Sequence, residues 1–149
     1  LPFWLGVLVM VSQATGAVTT PFAGVLSDRI GRRPILMIGF IGSAIIMFTL
    51  PWIESLPVLL VVVGFSGVFV FAVRPVLQSW ALDMTPPQLG GSMVSLLFGM
   101  QSLFAMAVPI LGGLIADAWG LEYVFQILSG AIIIAAVISL TIPDNAKSA

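Results

Sequence analysis

Long apolar stretches, separated by short segments that hold nearly all the charged residues, are the main pattern along the chain. These stretches are long enough to cross a bilayer, which takes about 20 apolar residues. Spans are predicted at approximately 3–27, 35–53, 57–82, 92–116 and 123–142. Backbone polar groups in hydrocarbon need internal partners, and the period-two alternation of a membrane β-barrel is absent, so the spans are predicted to be helices. The pattern indicates an all-α integral membrane protein with five transmembrane helices.

The composition supports this prediction and narrows the possible chemistry. The chain is 60% hydrophobic and only 7% charged, whereas an average soluble domain carries about 25% charged residues. There is no Cys and no His, which excludes disulfide scaffolds, the common zinc sites and imidazole-based catalysis. We therefore expect no metal and no cofactor. Five basic residues are too few for a phosphate-neutralising surface, so no nucleic-acid partner is expected.

The distribution of charge predicts the orientation in the membrane. Arg29, Arg32 and Arg33 lie together between the first and second spans, and basic loops tend to stay in the cytoplasm. The two loops that are then predicted outside carry acidic residues but no Lys or Arg. The first span has no basic leading region and is not predicted to be a signal peptide. Because the number of spans is odd and the first residue is not Met, we expect a fragment of a longer protein. We expect this protein in the plasma membrane, or in the inner membrane if it is bacterial.

The loop after the first span carries the most specific motif. Residues 24–34 read GVLSDRIGRRP. Gly24 removes a side chain where another helix can approach, Asp28 can accept hydrogen bonds from free amides at a helix N-terminus, and Gly31 permits a tight turn. The arginines can pair with carboxylates or lipid phosphates. A loop that only fixed orientation would not need these glycines and this aspartate at these spacings.

This loop resembles the signature loop of the major facilitator superfamily. The family pattern is Gly-x-Leu-(Ala/Ser)-Asp-Arg-x-Gly-Arg-(Arg/Lys), and every specified position is matched. The resemblance implies a fragment of a helical-bundle transporter that moves a small solute by alternating access. It also implies that the loop braces the cytoplasmic side and helps set the balance between outward-open and inward-open states. The gating residues implied are Gly24, Asp28, Arg29, Gly31, Arg32 and Arg33.

The resemblance also implies partners for the chain. These are a small-molecule substrate, the missing helices of the family and the lipid bilayer, with a proton or a sodium ion as the candidates for a coupling ion. A second pattern supports the family. The spacing of Pro, Gly, Leu, Asp and Gly in 21–31 recurs with one residue inserted in 109–120. The first copy ends inside and the second outside, as expected for nested inverted repeats, although chance similarity is the alternative.

Polar residues inside the spans predict which helices line the transport path. Spans one, three and four carry Gln or Arg side chains, whereas spans two and five are the most uniformly apolar and are predicted to face lipid. The resulting order of inner, outer, inner, inner and outer helices matches a six-helix half of the family that lacks its first helix. The chain also stops soon after its last span, as a carboxyl-terminal tail would. We therefore expect helices eight to twelve, with the amino-terminal half as the alternative.

Arg74 is the only charge inside a predicted span. Placing it at the bilayer centre costs about 2.5 kcal/mol or more, so it must have a partner. The partner could be an anion or substrate carboxylate, or a gating contact with Asp28 or Asp83. The alternatives are a structural buried pair and a snorkelling side chain. Gln78 lies one turn further along on the same helix face and could share the role.

Other residues in the spans complete the candidate path. Gln13 and Gln101 are cavity-lining candidates, although interhelical hydrogen bonds explain them equally well. Pro75 and Pro109 have no N–H to donate, so each is predicted to kink its helix and free a carbonyl. Small residues recur every four positions along the first span and are predicted to allow close helix contact. They are Ser12, Gly16, Thr20 and Gly24.

Two functions of other classes are alternatives to transport. The sequence Gly64-Phe65-Ser66-Gly67 matches the Gly-x-Ser-Gly form of rhomboid-type intramembrane proteases. Their base is a histidine, which this chain lacks, so Ser66 cannot be activated in that way and no enzyme is expected. The glycines are better interpreted as packing residues. The other alternative is a non-transporting membrane scaffold or assembly protein with the same fold, which measured flux would distinguish.

Overall fold

The computed structural model describes residues 2–142, which form five long α-helices joined by short connections. The helices are α1 (Pro2–Ile30), α2 (Arg32–Thr49), α3 (Leu56–Asp83), α4 (Gly90–Trp119) and α5 (Leu121–Thr141). Each is long and apolar enough to cross a membrane. No strand occurs within the described residues. The prediction of an all-α integral membrane protein with five transmembrane helices is confirmed.

The helix ends differ from the predicted spans because hydropathy marks the bilayer segment and not the helix itself. The first span, 3–27, omits the charged end of α1, which continues to Ile30. The second span, 35–53, contains both the end of the α-helix at Thr49 and the 3₁₀ turn Leu50–Trp52 that follows it. Pro51 lies within that turn. It has no N–H to donate to the carbonyl four residues earlier, which interrupts the α-helical hydrogen bonds there, while Leu50 before it keeps helical angles.

Helices α1 and α3 pack side by side through small residues. Gly16 is buried against Phe71, and a Cβ added to this glycine would collide with the ring. Gly67 of α3 is buried against the main chain of α1, and a Cβ there would lie 2.6 Å from the carbonyl oxygen of Ser12. The two contacts belong to one packing register, because Ser12 lies four residues before Gly16 and Gly67 lies four residues before Phe71. The small residues at positions 12, 16 and 67 therefore allow α1 and α3 to pack closely.

Helix α2 lies between α3 and α5. A Cβ added to Gly42 would lie 2.6 Å from the ring of Phe69 in α3. On the other side, the buried Ser129 hydroxyl of α5 donates to the Ala44 carbonyl at 3.0 Å. The remaining face of α2 carries large exposed apolar side chains at helical spacing, as a lipid-facing surface would. They are Ile38, Ile41, Ile45 and Phe48.

The largest buried cluster lies near one end of the bundle, where α1 joins α2. We call this the arginine end, because the loop with the three arginines is there. Helices α1, α2 and α3 all contribute, and Leu36 and Val76 are fully buried. Trp80 is also buried, and its indole N–H has no acceptor among the described residues. The cluster consists of Ala23, Ile35, Leu36, Ala72, Val76 and Trp80. The loop is therefore supported by the best-packed part of the described bundle.

Helix α4 is the least packed of the five. None of its residues is buried, and its contacts are mainly with α5 and less with α3. Large apolar side chains are exposed along its length, including Leu103, Phe104, Met106 and Leu114. A helix that is apolar on all sides requires lipid or further helices around it.

Candidate functional site

Gly31 forms the whole junction between α1 and α2. Its φ of 110° lies in the region that side chains rarely adopt, and its N–H donates to the Ser27 carbonyl at 3.0 Å. Only one residue separates the two helices. The turn therefore brings the end of α1 directly beside the start of α2.

Arg32 connects the ends of three helices. Its Nη1 lies 2.9 Å from Oδ1 of Asp28 in α1, and its Nε lies 2.5 Å from Oδ2 of Asp83, the last residue of α3. The arginine side chain is only 16% exposed, whereas the aspartates are 63% and 47% exposed. We call these three residues the Arg32 cluster. Asp28 was expected to accept from helix amides, but its partner in the described structure is Arg32, which the Gly31 turn brings close to it.

The energy of the Arg32 cluster is modest. Ion pairs between exposed groups contribute about 0–1 kcal/mol each, and both carboxylates are largely open to solvent. The Ser27 hydroxyl, which is buried, accepts a further bond from Arg32 Nη1 at 3.3 Å. The contribution of the cluster is therefore to fix the relative positions of α1, α2 and α3, more than to hold the fold together.

The other two arginines of the loop have different surroundings. Arg33 donates from Nη2 to the carbonyl of Leu140, in the last turn of α5. The last carbonyls of a helix lack helical partners and favour a cation nearby. Arg29 is exposed and makes no ion pair or side-chain hydrogen bond within residues 3–142. The loop thus holds α3 through Arg32 and α5 through Arg33, and leaves Arg29 open.

Gly24 lies in α1, close to the Arg32 cluster, and faces open space in the described structure. A Cβ added to it would meet nothing within 4 Å. The sequence predicts that another helix approaches here. No helix within residues 2–142 does so, in contrast to the tight contacts at Gly16 and Gly67.

Arg74 lies in α3 with its side chain exposed. Its guanidinium carbon is 5.8 Å from the centroid of the Phe71 ring, within cation–π range. It makes no ion pair within the described residues. The two carboxylates considered as gating partners, Asp28 and Asp83, are instead paired with Arg32.

The other path candidates are not brought together by the described contacts. Gln13 is exposed, whereas Gln78 and Gln101 are half-buried. Within the described part of the chain, none of the three amides forms a side-chain hydrogen bond with another helix. Pro75 and Pro109 lie inside α3 and α4, and both helices run through them without a break. The predicted kinks stay a prediction.

An open groove of about 400 Å³ lies between α1 and α3, away from the arginine end. Thr15 is its one polar lining residue, and its hydroxyl already donates to the Val11 carbonyl at 2.7 Å. The lining is therefore effectively apolar and includes none of the predicted polar path residues. It consists of Val11, Thr15, Leu60, Val61, Gly64, Phe65 and Val68. Among the residues that the structure describes, no group of acidic side chains could hold a metal ion.

Comparison with known proteins gives consistent results. A family model described as Major Facilitator Superfamily matches residues 3–149. The "Multidrug resistance protein MdtG" of Proteus mirabilis is 30% identical over 140 residues, which cover 94% of this chain and 35% of that protein. The "Multi-drug resistance efflux pump PmrA" of Streptococcus pneumoniae is 25% identical over 138 residues, which cover 93% of this chain and 34% of that protein.

The chain thus spans about a third of the length of the curated relatives that it matches. The family model nevertheless covers nearly the whole chain, including the loop at 24–34 and all five membrane helices. The chain belongs to the major facilitator superfamily.

Proposed function

We propose that this chain is the part of a secondary active transporter that moves a small solute by alternating access, with the Arg32 cluster as a latch at the arginine end. The observation that carries the proposal is Arg32 itself. From the first turn of α2 it binds Asp28 of α1 and Asp83 of α3 together. The relatives named as a multidrug resistance protein and an efflux pump support export of small molecules as the activity to test first.

The weakness of the Arg32 ion pairs suits a latch. States that exchange during a cycle differ by only a few kcal/mol, and each exposed ion pair contributes about 1 kcal/mol or less. Contacts of this size can break and re-form at each turnover. Burial of the arginine side chain keeps its position defined while the carboxylates change partners.

The remaining assignments complete the proposal. The chain supplies helices eight to twelve of the carboxyl-terminal half, and the rest of the transporter covers α4 and the open side of Gly24. The protein resides in the plasma membrane, or the inner membrane if bacterial, with the arginine end in the cytoplasm. A proton or a sodium ion is the candidate coupling ion. Gln13, Arg74, Gln78 and Gln101 line the path.

The test uses the full-length protein and the efflux of ethidium from loaded cells. Gly24→Leu adds no clash within the described chain, so it should leave the amount of protein in the membrane unchanged and reduce efflux. Asp28→Asn should act in the same way by weakening the latch. Gly16→Leu is the matched control, since its side chain would collide with Phe71 inside the bundle and should lower the amount of inserted protein.

Equal losses of efflux and insertion in Gly24→Leu and Asp28→Asn would mean that the loop is only structural. Normal insertion of the unmodified protein without flux of ethidium or any other tested solute would favour the membrane scaffold instead.

A further inference from the structure

The described part of the chain leaves Arg74 without an anionic partner. Every acidic residue of the described chain lies at a helix end or in a connection. The two at the arginine end, Asp28 and Asp83, form ion pairs with Arg32. Asp83 is nine residues from Arg74, or about 13 Å along the helix at 1.5 Å per residue. A guanidinium at that depth in an apolar helix requires compensation. A negatively charged partner supplies that compensation most directly.

The contacts of Phe71 hold Arg74 in a defined position. The ring of Phe71 is fixed against Gly16 of α1, where no side chain would fit. The guanidinium carbon of Arg74 then lies 5.8 Å from the centroid of this ring. The guanidinium has five N–H donors, and none of them makes a hydrogen bond within the described residues. Two parallel N–H donors in a plane match a carboxylate.

Gln78 lies on the same face of α3 as this pair. Gly67, Phe71, Arg74 and Gln78 are spaced by four, three and four residues, which places them on one side of a helix. The first two contact α1, so the face beside α1 continues through Arg74 to Gln78. The amide of Gln78 makes no hydrogen bond within the described structure and supplies a further donor one turn from Arg74.

We propose that Arg74 and Gln78 form a subsite that binds the carboxylate group of those transported solutes that carry one, with Phe71 as the positioning residue of Arg74. The proposal rests on the alternating-access function and adds the chemical class of the substrate. Arg74 binds the anion directly. Phe71 acts through Arg74, because it holds the guanidinium with its N–H edge available.

Two dyes that differ only in the relevant group provide the test. Rhodamine 110 has a free carboxylate, and rhodamine 123 is its methyl ester. Binding to the purified full-length protein in detergent is followed by fluorescence polarisation. The unmodified protein is expected to bind rhodamine 110 more tightly. Arg74→Gln should weaken the binding of rhodamine 110 about 30-fold or more, since the carboxylate loses its charged partner, and should change that of rhodamine 123 much less.

Conservative variants separate binding from positioning. Arg74→Lys keeps the charge but not the planar pair of donors, so it should retain only part of the preference for rhodamine 110. Phe71→Leu should reduce that preference, whereas Phe71→Tyr, which keeps the ring, should restore it. A residue that served packing alone would change the binding of both dyes equally.

Three results would overturn the proposal. Equal affinity of the unmodified protein for the two dyes would exclude a carboxylate subsite, as would failure of the folded protein to bind rhodamine 110. An Arg74→Gln protein that loses thermal stability but keeps the preference would show that Arg74 pairs with a carboxylate of the transporter itself. None of these results affects the ethidium efflux of the Gly24→Leu and Asp28→Asn variants, which tests alternating access separately.

Discussion

Gly31 and Gly120 have nearly the same backbone conformation at opposite ends of the bundle. Their φ and ψ angles are 110° and 153° for Gly31, and 104° and 158° for Gly120. Each is the single residue between two long helices, and each donates its N–H to the carbonyl four residues earlier at 3.0 Å. The similarity of the sequence around 21–31 and 109–120 therefore extends to backbone geometry, which supports an inverted repeat over chance similarity.

Alanine at either of these glycines is expected to destabilise the protein. A side chain in this region of φ and ψ costs about 1–3 kcal/mol, and both positions have this backbone conformation although the space around Gly120 is open. Thermal unfolding of the full-length protein in detergent should show a lower Tm for Gly31→Ala and for Gly120→Ala. Gly113→Ala is the control, because Gly113 lies within α4 with open space around it and alanine favours a helix. Equal Tm values for the three variants would contradict the explanation.

The contact between Gly67 and the Ser12 carbonyl gives a second prediction for stability. Gly67→Ala would place a Cβ 2.6 Å from a main-chain oxygen, so α1 and α3 must separate. We expect a loss of about 1–3 kcal/mol, typical of overpacking. Gly99→Ala makes the same exchange in α4, where a Cβ meets nothing within 4 Å. Chemical unfolding should therefore give Gly67→Ala a much lower free energy of unfolding than Gly99→Ala. The reverse order would refute the packing argument.

The elements that the sequence predicts and those that it misses have different physical origins. Helix number and type follow from hydrophobicity, and the turn at Gly31 follows from local chemistry. The sequence does not predict the contact of Asp83 with Arg32, because it joins residues 51 positions apart. A signal was nevertheless available, since the predicted topology puts the end of span three on the same side as the arginine loop.

The partners in two other contacts could not be predicted from local patterns. Arg33 binds the main-chain carbonyl of Leu140, and any residue type supplies such a carbonyl. Phe71 and Gly16 meet only because α1 and α3 adopt one particular register. Contacts of this kind depend on the packing of whole helices and not on local spacing.

Removing the charge of Arg32 should reduce transport more than removing the charge of Arg29. Arg32→Gln removes both ion pairs of the Arg32 cluster, and we expect the rate of ethidium efflux to fall roughly tenfold, within the range of typical coupling energies. Arg29→Gln removes the same charge from an exposed residue without an ion pair in the described structure, so its effect should be smaller. Efflux rates normalised to the protein in the membrane provide the comparison. Equal losses would show that only the total positive charge of the loop matters.

The hydrogen bond between α5 and α2 should have a small effect on stability. Ser129→Ala removes the donor to the Ala44 carbonyl, and hydrogen bonds between membrane helices contribute about 0.6 kcal/mol on average. The exposed Ser102 of α4 is the control for the same exchange. Reversible unfolding in mixed micelles should detect a loss for Ser129→Ala and none for Ser102→Ala. A loss above about 2 kcal/mol would mean that the contact does more than join two helices.

The bond from Arg33 to the end of α5 has a mechanical consequence. The same short loop that holds α3 through Arg32 also holds α5, so four of the five helices are tied to one point. While these contacts hold, a displacement of the loop shifts the ends of α1, α2, α3 and α5 together. Helix α4 takes no part in these contacts, so a movement of the loop reaches it only through its packing against α5 and α3.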